Sequence, residues 1–154
     1  MSKLVFVCSG NTCRSPMAKG ILLKLFTERF PHLLNDLDVF TAGLYAYNGE
    51  PASENAQTVM QEIGIDITSH KSMQVNAEML QNADWIVTMT DGHRRNLCSM
   101  FPELDSKITT MYELAGLGSQ DVTDPFGGDL NIYRECRKEI TSLLNRIVQA
   151  LNTR

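Results

Sequence analysis

Leu4-Val5-Phe6-Val7 is an unbroken apolar run that stops at the turn-like Ser9-Gly10-Asn11. Such a run predicts a strand buried on both faces, as in a parallel sheet. From Pro16, a favoured first-turn residue, Met17, Ile21, Leu22, Leu25 and Phe26 recur at helical spacing. Residues 38–41 read as a second strand closed by Gly43, and residues 53–63 as a helix stopped by Gly64. Ile65-Asp66-Ile67 reads as a short extended piece, and residues 76–80 as a short helix capped by Asn76. Residues 85–89 predict the next buried strand, residues 92–100 a helix, and residues 107–111 a further strand. A closing helix starts near Leu130, with Tyr133, Cys136, Ile140, Leu143, Leu144, Ile147 and Leu151 on one stripe.

Strands alternating with helices predict right-handed βαβ units. The expected fold is α/β, a three-layer α/β/α, doubly wound, with a central parallel sheet of about four strands. No linker or repeat divides the chain, so residues 1–154 are expected to form a single domain. Ligands of such sheets bind beyond the carboxyl ends of the strands, where strand order reverses. The loop after the first strand is therefore the first place to look.

Composition narrows the function. The 154 residues carry 14 Lys+Arg against 18 Asp+Glu, a formal charge of −4, which argues against a nucleic-acid footprint. No apolar run approaches the roughly 18 residues of a membrane span, and residues 2–7 do not read as a secretory signal. A cytoplasmic protein is expected. The four cysteines form no CxxC and only three histidines accompany them, so no metal and no cofactor are expected. Cys98 and Cys136 read as small buried hydrophobes. His93-Arg94-Arg95 reads as a solvated helix face.

Cys8-Ser9-Gly10-Asn11-Thr12-Cys13-Arg14-Ser15 is the unusual segment. A loop of this length can turn its backbone N–H groups inward as a nest for a tetrahedral anion, and Gly10 and Asn11 tolerate positive φ. The following helix adds its N-terminal dipole, and the Arg14 fork can hold two phosphate oxygens. The same field favours a thiolate at Cys8. On these residues alone, a plain strand-to-helix turn with a buried Cys8 and a surface Arg14 reads equally well. It is not a Walker-type loop, since no Lys follows the glycine at the needed spacing.

Residues 7–16, Val-Cys-Ser-Gly-Asn-Thr-Cys-Arg-Ser-Pro, resemble the signature of the low-molecular-weight protein tyrosine phosphatases. Asp124-Pro125-Phe126-Gly127-Gly128 resembles that family's Asp-Pro loop, in the right order and at the right distance. The resemblance implies that Cys8 attacks phosphorus to give a phosphocysteine. It implies that Arg14 and the loop residues Ser9, Gly10, Asn11, Thr12 and Cys13 hold the phosphoryl oxygens. Ser15 then donates to the thiolate, and Asp124 protonates the leaving group before activating water, with Pro125 restraining its loop. Without the first motif, Asp124 is simply a turn aspartate before a proline. Asn11 and His70 resemble a pair that supports the loop. Thr41-Ala42-Gly43 departs from the serine that many relatives carry beside this glycine, which leaves that part of the support open.

Aromatic residues are expected at the rim of the site, from Tyr45, Tyr47 and Phe126, where a phenol or a guanidinium can stack. Thr12 and Asp-Pro-Phe-Gly-Gly resemble the bacterial protein arginine phosphatases of the same family, which places phosphoarginine ahead of phosphotyrosine. Phosphoproteins are the expected partners. Cys13 reads either as a reversible disulfide partner for Cys8 or as a small packing residue. Two other functions fit such a loop: arsenate reduction, which needs relaying cysteines, and a phosphocarrier, which needs neither Arg14 nor Asp124.

Overall fold

The computed structural model describes residues 1–153. Strand β1 (Ser2–Cys8) is followed by helix α1 (Arg14–Arg29), the single turn α2 (Leu33–Asp36) and strand β2 (Leu37–Gly43). Helices α3 (Glu54–Gln61) and α4 (Ala77–Asn82) precede β3 (Trp85–Thr88) and α5 (Asp91–Met100). A 3-10 segment (Pro102–Lys107), β4 (Ile108–Thr110), α6 (Met111–Leu114) and α7 (Leu130–Asn152) complete the order.

The four strands pair in parallel in the order β2-β1-β3-β4. Alternation along β1 divides the core. Leu4 and Phe6 face a cluster that holds Met17 and Phe26 of α1, Val59 and Met60 of α3, and Ile140 and Leu144 of α7. Val5 and Val7 face the other side, with Ile86, Leu80, Leu97 and Leu104. All four β1 side chains are buried, at about 2 kcal/mol of hydrophobic stabilisation each. The result is the three-layer α/β/α arrangement. Order reverses between β1 and β3, so the crevice of the sheet opens beyond Cys8 and Thr88.

Side-chain caps fix where helices begin. Ser53 accepts from Ala56 N–H, Asn76 from Met79, Thr90 from His93, Thr110 from Glu113 and Asp129 from Ile132. The Thr110 cap shortens the last strand: Lys107 closes the 3-10 segment and Met111 opens α6. Helix α1 begins at Arg14, two residues before Pro16. Ile65-Asp66-Ile67 joins no strand, because the Asp66 carboxylate takes the Thr68 N–H and hydroxyl and turns the chain. Cys98 is only half-buried, its thiol donating to Asp105 at 3.1 Å, whereas Cys136 is buried. Among the described residues no helix is long and apolar enough to cross a membrane.

Candidate active site

The chain between β1 and α1 turns its carbonyls toward the protein. Leu44 N–H donates to Cys8 O, Tyr45 to Ser9 O, Ser53 to Thr12 O and Met17 to Cys13 O. The Asn11 carbonyl accepts from His70 Nε2 at 2.6 Å. The N–H groups of Gly10, Asn11, Thr12 and Cys13 have no protein acceptor among the described residues. A loop whose carbonyls are held and whose N–H groups are free presents positive partial charge to its concave side. Among the described residues Asn11 is the one non-glycine with positive φ, at 59°. Gly10 does not share that conformation, contrary to the sequence expectation; asparagine alone makes the left-handed step.

Asn11 also orients the neighbouring hydroxyl. Met73 N–H can only donate, so the amide oxygen of Asn11 faces it at 2.9 Å and the NH2 faces Ser15 Oγ at 2.7 Å. Ser15 accepts there, which leaves its own hydrogen for Cys8 Sγ, 3.0 Å away. Asn11 and Ser15 are fully buried behind the loop, outside the residues that line the cavity. The backbone of Gly43 presses on the same loop: a Cβ there would sit 2.6 Å from Ser9 O and 3.0 Å from Asn11 N. This glycine supports the loop by close approach, not through a side chain.

The cavity so framed measures about 280 Å³ and is lined by Cys8, Ser9, Gly10, Thr12, Cys13, Arg14, Tyr45, Asp124 and Phe126. Cys8 and Arg14 lie at its base, 3% and 4% exposed. Tyr45 and Phe126 stand at the rim, strongly exposed, while Tyr47 lies outside the lining. Arg14 donates from Nη1 to Val122 O at 3.0 Å, and its Nη2 lies 3.8 Å from the Asp124 carboxylate. Asp124 is half-exposed, so its carboxyl meets solvent on one side and Arg14 on the other. After Pro125, Gly128 N–H donates to Pro125 O and Gly127 sits at φ +80°, a turn that suits glycine at its third position. Among the described residues no three His, Cys, Asp or Glu side chains gather as metal ligands.

Cys13 sits in a ring of three hydroxyl and thiol groups, 3.5 Å from Ser53 Oγ and 3.2 Å from Tyr133 OH, with Ser53 and Tyr133 3.3 Å apart. Burial and the Cys13 contact push the Tyr133 phenol up to about 12. All four thiols are free. Burial likewise pushes the Cys136 thiol up to about 12.

Two groups were missed in the sequence. His93, expected on a solvated face, is 7% exposed and its Nε2 lies 2.8 Å from Ser9 Oγ. Burial, with Arg14 nearby, lowers its pKa to about 4. It follows the carboxyl end of β3, and that topological position was the available signal. Its neighbours do face solvent, Arg94 pairing with Asp91 and Glu113 and Arg95 with Asp91. Glu139 of α7 was also missed. It accepts from Thr123 N–H and Tyr112 OH and so anchors the segment that carries Asp124.

The low molecular weight phosphotyrosine protein phosphatase family matches residues 3–154. The chain belongs to it. A protein-arginine-phosphatase of Geobacillus stearothermophilus is 36% identical over 98% of this chain and 97% of its own. The solved YwlE arginine phosphatase from that organism superposes with a TM-score of 0.90 at 35% identity, over 99% of this chain and 94% of its own. The protein-tyrosine-phosphatase PtpB of Staphylococcus epidermidis is 32% identical over 94% and 96% of the two chains. A YwlE mutant with a phosphorylated active-site serine superposes with a TM-score of 0.90 at 31% identity, over 97% and 95%. The chain is a cysteine-dependent protein phosphatase.

Proposed function

We propose that this phosphatase dephosphorylates proteins through Cys8, with phosphoarginine preferred over phosphotyrosine. The carrying observation is one cavity with the Cys8 thiol and Arg14 at its base and the Asp124 carboxylate 3.8 Å from Arg14 at its edge. The Cys8 thiolate attacks phosphorus as the bond to the leaving nitrogen or oxygen breaks, and Asp124 protonates the leaving atom. Asp124, now ionised, takes a proton from water as the water attacks phosphorus and the S–P bond breaks. Arg14 and the free loop N–H groups hold the phosphoryl oxygens throughout.

Three features support phosphoarginine. Thr12 lines the cavity with a small hydroxyl-bearing side chain, Asp124 offers a half-exposed carboxyl oxygen to accept from a guanidinium N–H, and Tyr45 and Phe126 offer flat faces for stacking. The arginine phosphatases among the relatives support the same substrate. A thiol relay of the arsenate-reducing kind has little support, since neither Cys98 nor Cys136 lines the cavity. The free thiols support a reducing, cytoplasmic workplace.

The test compares phosphoarginine and phosphotyrosine peptides for the wild type, Thr12→Ile and Cys8→Ser. Cys8→Ser is expected to abolish turnover of both, and Thr12→Ile to move the kcat/KM ratio toward phosphotyrosine. Turnover retained by Cys8→Ser contradicts the mechanism; a wild type that prefers phosphotyrosine contradicts the substrate assignment.

A further inference from the structure

His93 Nδ1 is the one buried side-chain nitrogen or oxygen without a hydrogen-bond partner among the described residues. The backbone that carries the ring is nonetheless anchored. Its residue's N–H is capped by Thr90 Oγ at 3.0 Å, and Thr90 O in turn accepts from Thr88 Oγ1 at the end of β3. From there Nε2 reaches Ser9 Oγ, the second residue of the loop, at 2.8 Å. Ser9 lines the cavity; His93 does not. Two histidines therefore hold the loop, His70 at the Asn11 carbonyl and His93 at the Ser9 hydroxyl.

The orphan nitrogen decides which partner donates. A hydrogen on Nδ1 would bury an N–H without an acceptor, the rarer and more costly kind of orphan. Nε2 would then lack a hydrogen, and Ser9 would have to turn its own hydrogen toward the ring. Only lone pairs of Ser9 would face an anion in the cavity. With the hydrogen on Nε2, the ring donates to Ser9 Oγ and the serine hydrogen is free. Burial and the Arg14 charge hold the ring neutral, which leaves one hydrogen to place.

We propose that His93 is a positioning residue: its Nε2–H fixes the Ser9 hydroxyl so that the serine donates to a phosphoryl oxygen held between Cys8 and Arg14. The inference rests on the reading that this cavity takes a phosphoryl group. It concerns phosphate recognition, so its test does not depend on turnover.

The test uses the intact protein and inorganic phosphate. The ¹⁵N spectrum of the His93 ring at neutral pH is expected to show hydrogen on Nε2. Titration calorimetry is expected to show phosphate binding about tenfold or more weaker in Ser9→Ala, the scale of one hydrogen bond to a charged group. His93→Leu is expected to weaken it by the same factor and the double variant no further, while His93→Gln, which places an N–H near the Nε2 position, restores it. Hydrogen on Nδ1, unchanged affinity in Ser9→Ala, or losses that add in the double variant would each overturn the proposal. Should His93→Leu fail to fold, the ring spectrum and Ser9→Ala still decide. A wild type that binds no phosphate contradicts the active-site reading and this inference with it, a result distinct from a misplaced hydrogen.

Discussion

Replacing Asn11 by alanine removes three contributions at once. The residue sits at φ 59°, where an alanine is strained by about 1 kcal/mol or more. Its amide makes the bonds to Met73 N–H and Ser15 Oγ, worth about 1 kcal/mol each. Asn11→Ala should therefore lose about 3 kcal/mol, or about 6–12 °C in Tm for a domain of this size. The loss should also reach the chemistry. Without the Asn11 NH2, the Ser15 hydroxyl is no longer obliged to point its hydrogen at Cys8. Loss of that bond to the thiolate should slow Cys8 alkylation by iodoacetamide at neutral pH about tenfold or more. Asn11→Gly separates the parts, since glycine relieves the strain of about 1 kcal/mol but restores neither bond. Urea unfolding gives the stabilities and timed labelling with mass spectrometry gives the reactivities. Equal stabilities for the alanine and glycine variants, or wild-type reactivity in both, would refute the reasoning.

Asp124→Asn should lower kcat by about a hundredfold or more, the scale of general acid catalysis. It should not weaken competitive inhibition by phosphate, because Val122 O still holds Arg14; steady-state kinetics with phosphate as inhibitor reads both. Gly43→Ala would force a Cβ to within 2.6 Å of the Ser9 carbonyl, so about 2 kcal/mol of stability and most of kcat/KM should be lost together. Chemical denaturation and peptide turnover check this. Glu62, bonded to Arg134 and Arg137, has its pKa lowered from 4.5 to about 2. Its pairing therefore stabilises the fold fully above pH 4.5 and fades as pH falls toward 2. The Tm gap between wild type and Glu62→Gln should be present at pH 7 and shrink between pH 4.5 and 2, and a gap independent of pH would contradict the link.

Much of the fold was legible because burial leaves a period in the sequence. Leu4 to Val7 reads as a strand covered on both faces, and the stripe from Tyr133 to Leu151 reads as one side of a helix, because each pattern follows from what the residue touches. The one-turn helices α2 and α6 leave no such period. Thr110 looks like a strand residue and serves as both the last of β4 and the cap of α6. In the site, the loop around Cys8 was legible because its chemistry is local, held within eight consecutive residues. His93 and Glu139 were not. Each lies far along the chain from the residue it touches, and beside arginines or in an amphipathic helix each looks like an ordinary surface group. Cys98 failed for a related reason: its apolar sequence neighbours say nothing of Asp105, seven residues on and folded back against it.

The most direct test of the central claim is to locate the phosphoryl group during turnover. Acid-quenching the wild-type enzyme within milliseconds of mixing with an excess of phosphoarginine peptide, then sequencing the loop peptide by mass spectrometry, reads it at residue resolution. Phosphate on the sulfur of Cys8, absent from Cys13 and Ser15, is the predicted result. Phosphate on any other residue, or full turnover in Cys8→Ser, would contradict the account.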